Sequence, residues 1–142
     1  MLKKSLVSFL LGLGFVSVLN AGDLKNDMSQ MSRLVNTIQY GFLANKQDSL
    51  KRAVPELRKY VQSLLDNQDE MIKRLPKGTQ YKSSIAVNSG ELIVKYAEEI
   101  EKQLNDPKEK MITRHLKAQE ALSKMEFQCF RCHNLIRDWD KE

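Results

Sequence analysis

The sequence predicts an all-α protein whose helices form an antiparallel up-down-up-down four-helix bundle. Glycine and proline are sparse, with six and three residues in a chain of 142, and runs of β-branched residues are short, so little in the sequence competes with helix. Apolar residues recur three and four positions apart over most of the chain, which is the spacing of one buried helix face. Four such segments joined by short connections favour antiparallel neighbours around one core.

The first helix is predicted over residues 23–44 and the second over residues 48–75. Pro55 is awkward in the second helix, because proline fits the first turn of a helix but not its interior. Either the helix proper starts near Val54, or a short turn from Asp48 leads into it at an angle. The residues predicted to face the core are Leu24, Met28, Met31, Val35, Ile38 and Phe42 in the first helix, and Leu57, Val61, Leu64, Met71 and Leu75 in the second.

The third helix is predicted over residues 83–104, after Pro76 and Gly78 end the second helix. The fourth is predicted to begin with Asp106 as N-cap, Pro107 at the first helical position and Glu109 three residues after the cap, and to end near residue 139. The predicted inward residues are Ala86, Gly90, Ile93, Ala97, Ile100 and Leu104 in the third helix, and His115, Ala118, Leu122, Met125, Cys129, Cys132, Ile136 and Trp139 in the fourth.

Residues 1–21 have the layout of a secretory signal peptide. Lys3 and Lys4 precede an apolar run over residues 6–19, and cleavage is predicted after Ala21, which leaves residues 22–142 as one domain. The run is shorter than the ~20 apolar residues that a membrane-spanning helix needs. We therefore expect no stable membrane insertion once the signal peptide is removed.

The net charge gives little support for nucleic-acid binding. Loss of residues 1–21, which hold two lysines and no acidic residue, lowers the net charge from +5 to +3. The remaining basic residues are interspersed with acidic ones rather than gathered in a block. No nucleic-acid partner is expected.

Residues Cys129-Phe130-Arg131-Cys132-His133 have the C-x-x-C-H spacing at which a polypeptide attaches haem covalently. The chemistry uses both thiols, which add to the two porphyrin vinyl groups, and the adjacent imidazole, which becomes the proximal iron ligand. Both thiols continue the apolar stripe of the fourth helix, so one haem c is expected inside the bundle near the C-terminal helix. Bacteria carry out this attachment after secretion, so the signal peptide and the motif together predict the periplasm.

Two other interpretations of the motif fit the sequence less well. A redox-active dithiol favours the start of a helix within an alternating strand and helix pattern, which this sequence lacks. A structural zinc site needs four ligands, and the only further histidine or cysteine is His115. Eighteen residues of helix would hold His115 roughly 27 Å from His133, so His115 is expected to be a partly buried histidine bonded to the backbone or to water.

With a signal peptide, four helices and a C-x-x-C-H near the end of the last helix, the chain resembles the cytochrome c prime family, the class II c-type cytochromes. The family motif commonly continues to an aromatic residue and an arginine. Arg137 stands at the arginine position, whereas Ile136 replaces the aromatic residue. The resemblance implies that Arg137 contributes to cofactor binding, although a surface arginine fits the sequence equally well. Members of the family often form homodimers, so the resemblance makes a homodimer one of the two oligomeric states to expect, beside the monomer.

The resemblance further implies that a residue of the first helix faces the iron opposite the proximal histidine. In the low-spin branch of the family this residue is a methionine and the protein transfers electrons; in the high-spin branch the position is open and binds nitric oxide or carbon monoxide. Met28 is the first choice when counted back from Gly41, taken as the glycine that closes the first helix. Met31 is the alternative if Asp27 and Gln30 form a capping pair. Both methionines could instead only fill the core.

The predicted function is periplasmic electron transfer by a monohaem c-type cytochrome that is not an enzyme, with periplasmic redox proteins as partners. The alternative is a five-coordinate gas-binding cytochrome. Peroxidase-like catalysis would need an acid-base group beside the open site. The inward face of the first helix supplies no histidine or carboxylate for this role, so catalysis is the least favoured of the three.

Overall fold

The computed structural model describes residues 24–136, with side chains from Asn26 onward. These residues contain no β-strand, so the all-α prediction is confirmed for this part of the chain. They form five helices rather than the predicted four, and a short 3-10 turn, Gln80–Lys82, precedes the fourth. The helices are α1 Leu24–Leu43, α2 Gln47–Asp66, α3 Gln68–Lys73, α4 Ser83–Asn105 and α5 Met111–Ile136.

Contacts near the two ends of each pair of packed helices show whether the two helices are parallel or antiparallel. Between α4 and α5, Arg131 donates to Asn88 (2.8 Å), whereas Arg114 donates to the carbonyl of Leu104 (3.2 Å). The end of α5 therefore lies beside the start of α4, and these two helices are antiparallel. The helices α1 and α2 are also antiparallel, because Asp27 bonds to Tyr60 near one end of the pair and Gly41 contacts Leu50 near the other. The helices α2 and α4 are antiparallel as well, as shown by the contacts of Arg58 with Glu101 and of Leu65 with Gly90.

The connection from α1 to α2 is a three-residue turn closed by Asn45, not by Gly41 as predicted. Asn45 has a positive φ of 51°, and the Lys46 N–H donates to the carbonyl of Gly41 (2.8 Å) while the Asn45 N–H donates to that of Phe42 (3.3 Å). These two bonds satisfy helix-end carbonyls in the Schellman arrangement. Gly41 lies inside α1, where a Cβ atom would stand only 2.7 Å from Cδ2 of Leu50, so its role is to let α2 approach.

The second predicted helix differs from the structure at Pro55 and at Asn67. The helix α2 begins at Gln47, one residue before the predicted start at Asp48, and continues through Pro55 as a single helix, so both explanations offered for Pro55 are wrong. Proline inside a helix costs ~3 kcal/mol, but Leu50, Val54 and Leu57 are each 0% exposed and each contributes about 1.5–3 kcal/mol by burial. Asn67, with φ −112° and ψ 42°, then separates α2 from α3.

The last helix also starts later than its capping signal predicts. Asp106 accepts a bond from the Lys108 N–H (2.8 Å) and so closes a local turn of the chain. Glu109 pairs with Lys117 on the first turns of α5 (2.8 Å). In the predicted capping box, its side chain would instead accept a bond from the backbone N–H of Asp106. The helix α5 consequently begins at Met111, five residues after Asp106.

Buried apolar residues form two clusters. The larger cluster joins α1, α2, α4 and α5, and includes Ile38, Leu57, Ile100 and Met125. The smaller cluster lies where α2 ends, α4 begins and α5 ends, and its buried members are Met71, Leu75, Ala86 and Ile136.

Gly41→Ala is expected to lower the free energy of unfolding by up to about 2 kcal/mol. The new methyl group would meet Leu50, which is fully buried, and overpacking of this kind costs about 1–3 kcal/mol. The gain in helix propensity, about 1 kcal/mol, offsets only part of this cost. Urea denaturation followed by circular dichroism measures the difference.

The matched control for this substitution is the same change in a Leu50→Ala background. With the Leu50 side chain removed, Gly41→Ala has nothing to overpack, so its penalty should vanish. An equal penalty in both backgrounds would show that Gly41 is needed for a reason other than contact with Leu50.

Candidate functional site

The three motif residues Cys129, Cys132 and His133 line one cavity together with Met28 and Met31. The cavity has a volume of about 260 Å³, just below the range of roughly 300–1,000 Å³ for small-molecule sites. The structure thus brings the predicted attachment residues, the predicted proximal ligand and both candidate sixth ligands to a single place. Because His133 is exposed, the cavity reaches the surface beside this residue.

The cavity lies at the end of the protein where α1 and α4 begin and α2 and α5 end. Its walls are mostly apolar and include Val35, Val61, Leu65 and Ile93. Between α1 and α5 the wall is polar, because Gln39 donates to Glu126 (2.9 Å) and both residues line the cavity. An apolar space with a few polar groups at defined positions is the usual character of a cofactor site.

Each thiol packs against a different core cluster. Cys129 contacts the larger cluster and Cys132 the smaller one, so the motif bridges the two clusters at the cavity wall. Burial raises the pKa of Cys129 to about 11, with smaller contributions from Cys132 and Glu126, and burial also raises the pKa of Cys132. Both free thiols are therefore neutral at neutral pH.

Neutral thiols in the last turns of a helix do not suit a redox-active dithiol, whose thiolate is stabilised by a helix N-terminus or a neighbouring cation. A zinc site is also unsupported, since residues 24–136 contain no group of three or more histidine, cysteine or acidic side chains placed to hold a metal ion. Haem attachment, the remaining interpretation of the motif, stays a prediction.

His115 lies at the opposite end of α5 from the motif. It is buried, its Nε2 is hydrogen-bonded to the side-chain amide of Gln47, and its ring meets that of Phe42 edge-on at 5.8 Å. The expected partner was the backbone or water, so the side-chain partner corrects that detail. Fourteen residues of helix separate His115 from Cys129, or roughly 21 Å, which keeps it away from the cavity.

The two methionines differ in their packing. Met31 packs against the larger core cluster, whereas Met28, half-buried like Met31, belongs to neither cluster among the described residues. Both line the cavity. Met31 is therefore held in place by contacts with the larger cluster, which Met28 does not share among the described residues.

Ser89 is a buried polar residue in the cavity wall that the sequence analysis missed. It is 1% exposed, and its hydroxyl has no hydrogen-bond partner among the described residues. An unsatisfied buried hydroxyl costs about 1–3 kcal/mol, so a polar group in the cavity would stabilise it. This hydroxyl, the apolar walls and the two thiols are together compatible with a large apolar cofactor that carries some polar groups.

Asp27 is a second buried residue that the sequence analysis missed at this end of the protein. It is 8% exposed and accepts bonds from the Tyr60 hydroxyl (2.6 Å) and from the Arg74 guanidinium (3.1 Å). It lies inside α1 and is buried, so the capping pair considered for Asp27 is wrong, and so is the expectation that the inward face of the first helix supplies no carboxylate. The signal was present in the sequence: Asp27 stands three residues after Leu24 and four before Met31, within the stripe expected to be apolar.

Several predictions concern residues outside the described range. The signal peptide over residues 1–21, the cofactor-binding role of Arg137 and the inward position of Trp139 all lie there. Within residues 24–136, none of the helices combines the length and the apolar character that crossing a bilayer requires.

Comparisons of the chain with models of known protein families, with curated proteins and with solved structures found no match.

Tyr60→Phe is expected to lower the free energy of unfolding at neutral pH, by an amount that decreases as the pH becomes alkaline. Burial and the bond to Asp27 raise the pKa of Tyr60 from 10.0 to about 12, so the fold favours the neutral phenol. Its contribution is complete below about pH 10 and is lost as the pH rises towards about 12. Because the residue is partly exposed, solvent screening reduces the contribution to about 1 kcal/mol.

Urea denaturation of both proteins over this pH range checks the prediction. The wild type should be more stable than the variant at neutral pH, and the difference should shrink as Tyr60 ionises. Tyr81→Phe is the matched control, because Tyr81 is 78% exposed. A difference between wild type and Tyr60→Phe that stays constant with pH would contradict the expectation.

Proposed function

We propose that this chain is a periplasmic monohaem c-type cytochrome, built as an antiparallel four-helix bundle, that transfers electrons. The observation that carries the proposal is the shared cavity: both thiols of the C-x-x-C-H motif, its histidine and two methionines line the same mostly apolar space. The antiparallel contacts of α1, α2, α4 and α5 support the bundle. The signal-peptide pattern supports export to the periplasm, where the partners would be other redox proteins.

In this proposal, Cys129 and Cys132 hold one haem c through two thioether bonds, and His133 supplies the proximal ligand. The chemistry that such a group supplies is one-electron transfer by cycling between ferric and ferrous iron. The helix fixes the three residues relative to one another, because Cys129 and Cys132 are one turn apart and His133 follows directly. The exposed position of His133 puts the attachment site beside the protein surface, where a partner could approach.

The apolar walls of the cavity would exclude water from the cofactor. Val61 and Ile93 are 2% and 4% exposed, and their burial keeps this side of the cavity dry. Exclusion of water lowers the local dielectric and, with the identity of the axial ligand, determines the reduction potential. Gln39 holds the Glu126 carboxylate by a hydrogen bond, which supports a structural role for this acidic group rather than acid-base catalysis.

The proposed sixth ligand is Met28. Met31 is engaged in core packing, whereas the Met28 side chain lines the cavity without belonging to either cluster. A thioether ligand favours ferrous iron and raises the reduction potential, as suits an electron carrier.

Cys129→Ser/Cys132→Ser is expected to abolish covalent haem attachment. Mass spectrometry of the wild type, exported by a bacterium able to make c-type cytochromes, should show the polypeptide plus one haem. The double variant should show the polypeptide mass alone, because serine hydroxyls do not add to the vinyl groups. Ser123→Ala, an exposed change on the same helix, is the control and should retain the haem. A wild type of bare polypeptide mass would refute the proposal.

Met28→Ala is expected to convert a low-spin optical spectrum into a high-spin one that responds to carbon monoxide. Met31→Ala should keep the low-spin spectrum and instead lower the free energy of unfolding by about 2 kcal/mol, because it removes part of the core. Absorption spectra of the oxidised and reduced proteins, with and without carbon monoxide, provide the measurement. If the wild type is already high-spin and binds carbon monoxide, the gas-binding alternative replaces electron transfer.

A further inference from the structure

A partly buried cluster of charged and polar side chains ties the first turns of α1 to two other parts of the chain. The Asp27 carboxylate accepts one bond from Tyr60 on α2 (2.6 Å) and another from Arg74, just after α3 (3.1 Å). Arg74 also lies 3.6 Å from Glu70, and its side chain is 23% exposed. We call Asp27, Tyr60 and Arg74 the clamp.

We propose that the clamp positions Met28 as the axial ligand, with Asp27 as a positioning residue that acts through its neighbour in the chain. The inference rests on the proposed function, because it gives Met28 the role argued above. It goes further by naming the interaction that decides whether the thioether or an external ligand is bound.

The geometry of α1 lets the clamp fix the direction of Met28. Adjacent residues of a helix point about 100° apart, so holding Asp27 against α2 and the segment after α3 fixes the direction in which Met28 points. The carboxylate is held from two different elements, and the helix therefore cannot rotate about its axis without breaking a charge-assisted bond. In this orientation Met28 lines the cavity.

Met28 needs such a clamp because of its position in α1. The helix is described from Leu24, so Met28 stands in the second turn, and terminal turns open more easily than the middle of a helix. Met31 packs against the larger core cluster, but Met28 has no equivalent support from either cluster. The clamp is a partly buried interaction made by the residue next to it in the chain.

The test measures carbon monoxide affinity of the reduced haem protein, together with amide hydrogen exchange over α1. Tyr60→Phe should raise the affinity roughly fivefold, since the lost hydrogen bond contributes about 1 kcal/mol and its removal increases the population of opened α1 by this factor. Asp27→Ala should raise it further, and Asp27→Asn, which keeps an acceptor for Tyr60, should fall between wild type and Asp27→Ala. Amide hydrogen exchange in the first two turns of α1 should become faster in the same order of variants as the affinity rises.

Two controls separate this role from general destabilisation. Glu101→Gln weakens the Arg58–Glu101 pair (2.7 Å), which joins α2 to α4 away from the cavity, and should leave both measurements near wild type. In a Met28→Ala background, Tyr60→Phe should no longer change the affinity, because the thioether that it releases is already absent. An equal effect in that background, or an equal effect of Glu101→Gln, would overturn the inference.

The outcomes also distinguish the inference from the function on which it rests. If Met28→Ala changes the spectrum but Tyr60→Phe changes neither carbon monoxide affinity nor exchange in α1, the clamp is refuted and the cytochrome stands. If Met28→Ala leaves the spectrum of the wild type unchanged, Met28 is not the ligand, and both the axial role and the clamp are refuted.

Discussion

Burial of a single apolar stripe on α5 determines both the packing of the protein and the location of its site. His115, Ala118, Leu122 and Met125 are buried at successive steps of three and four residues, and Cys129 and Cys132 continue these steps. The core contacts of the first half of α5 therefore fix the rotation of its second half, which turns both thiols towards the interior. His133 follows Cys132 by about 100° around the helix, so it lies at the exposed rim of the cavity.

The apolar stripe of α5 and the apolar side of α1 explain why much of the candidate site could be predicted from the sequence. The C-x-x-C-H motif and the stripe lie on one helix, and local periodicity alone indicates which way such residues face. The same reasoning identified Met28 and Met31 on α1, since both lie on its apolar side. Bringing residues of α1 and α5 to one cavity required only short connections and antiparallel order, which the lengths of the segments already suggested.

The features that the sequence did not predict depend on contacts between distant parts of the chain. Asp106 has every local property of an N-cap, but Glu109 pairs with Lys117 and the helix starts at Met111. Pro55 is accommodated because the residues around it are buried by other helices, which outweighs its local cost. The clamp joins residues 33 and 47 positions apart, and no local pattern indicates such a pairing. Nothing in the sequence around Ser89 indicates burial, because only the packing of the folded protein buries its side chain.

The proposed choice between electron transfer and gas binding becomes a question of local stability at the start of α1. If opening of these turns breaks a hydrogen bond to a charged group, which contributes about 1.5–3 kcal/mol, the clamp lowers the opened population by roughly tenfold to more than a hundredfold. The apparent affinity of an external ligand falls by the same factor, because it binds only the opened form. A protein with the same helices and the same motif but without the clamp would then favour the open iron. On this view, the functional difference depends on one buried carboxylate rather than on the fold.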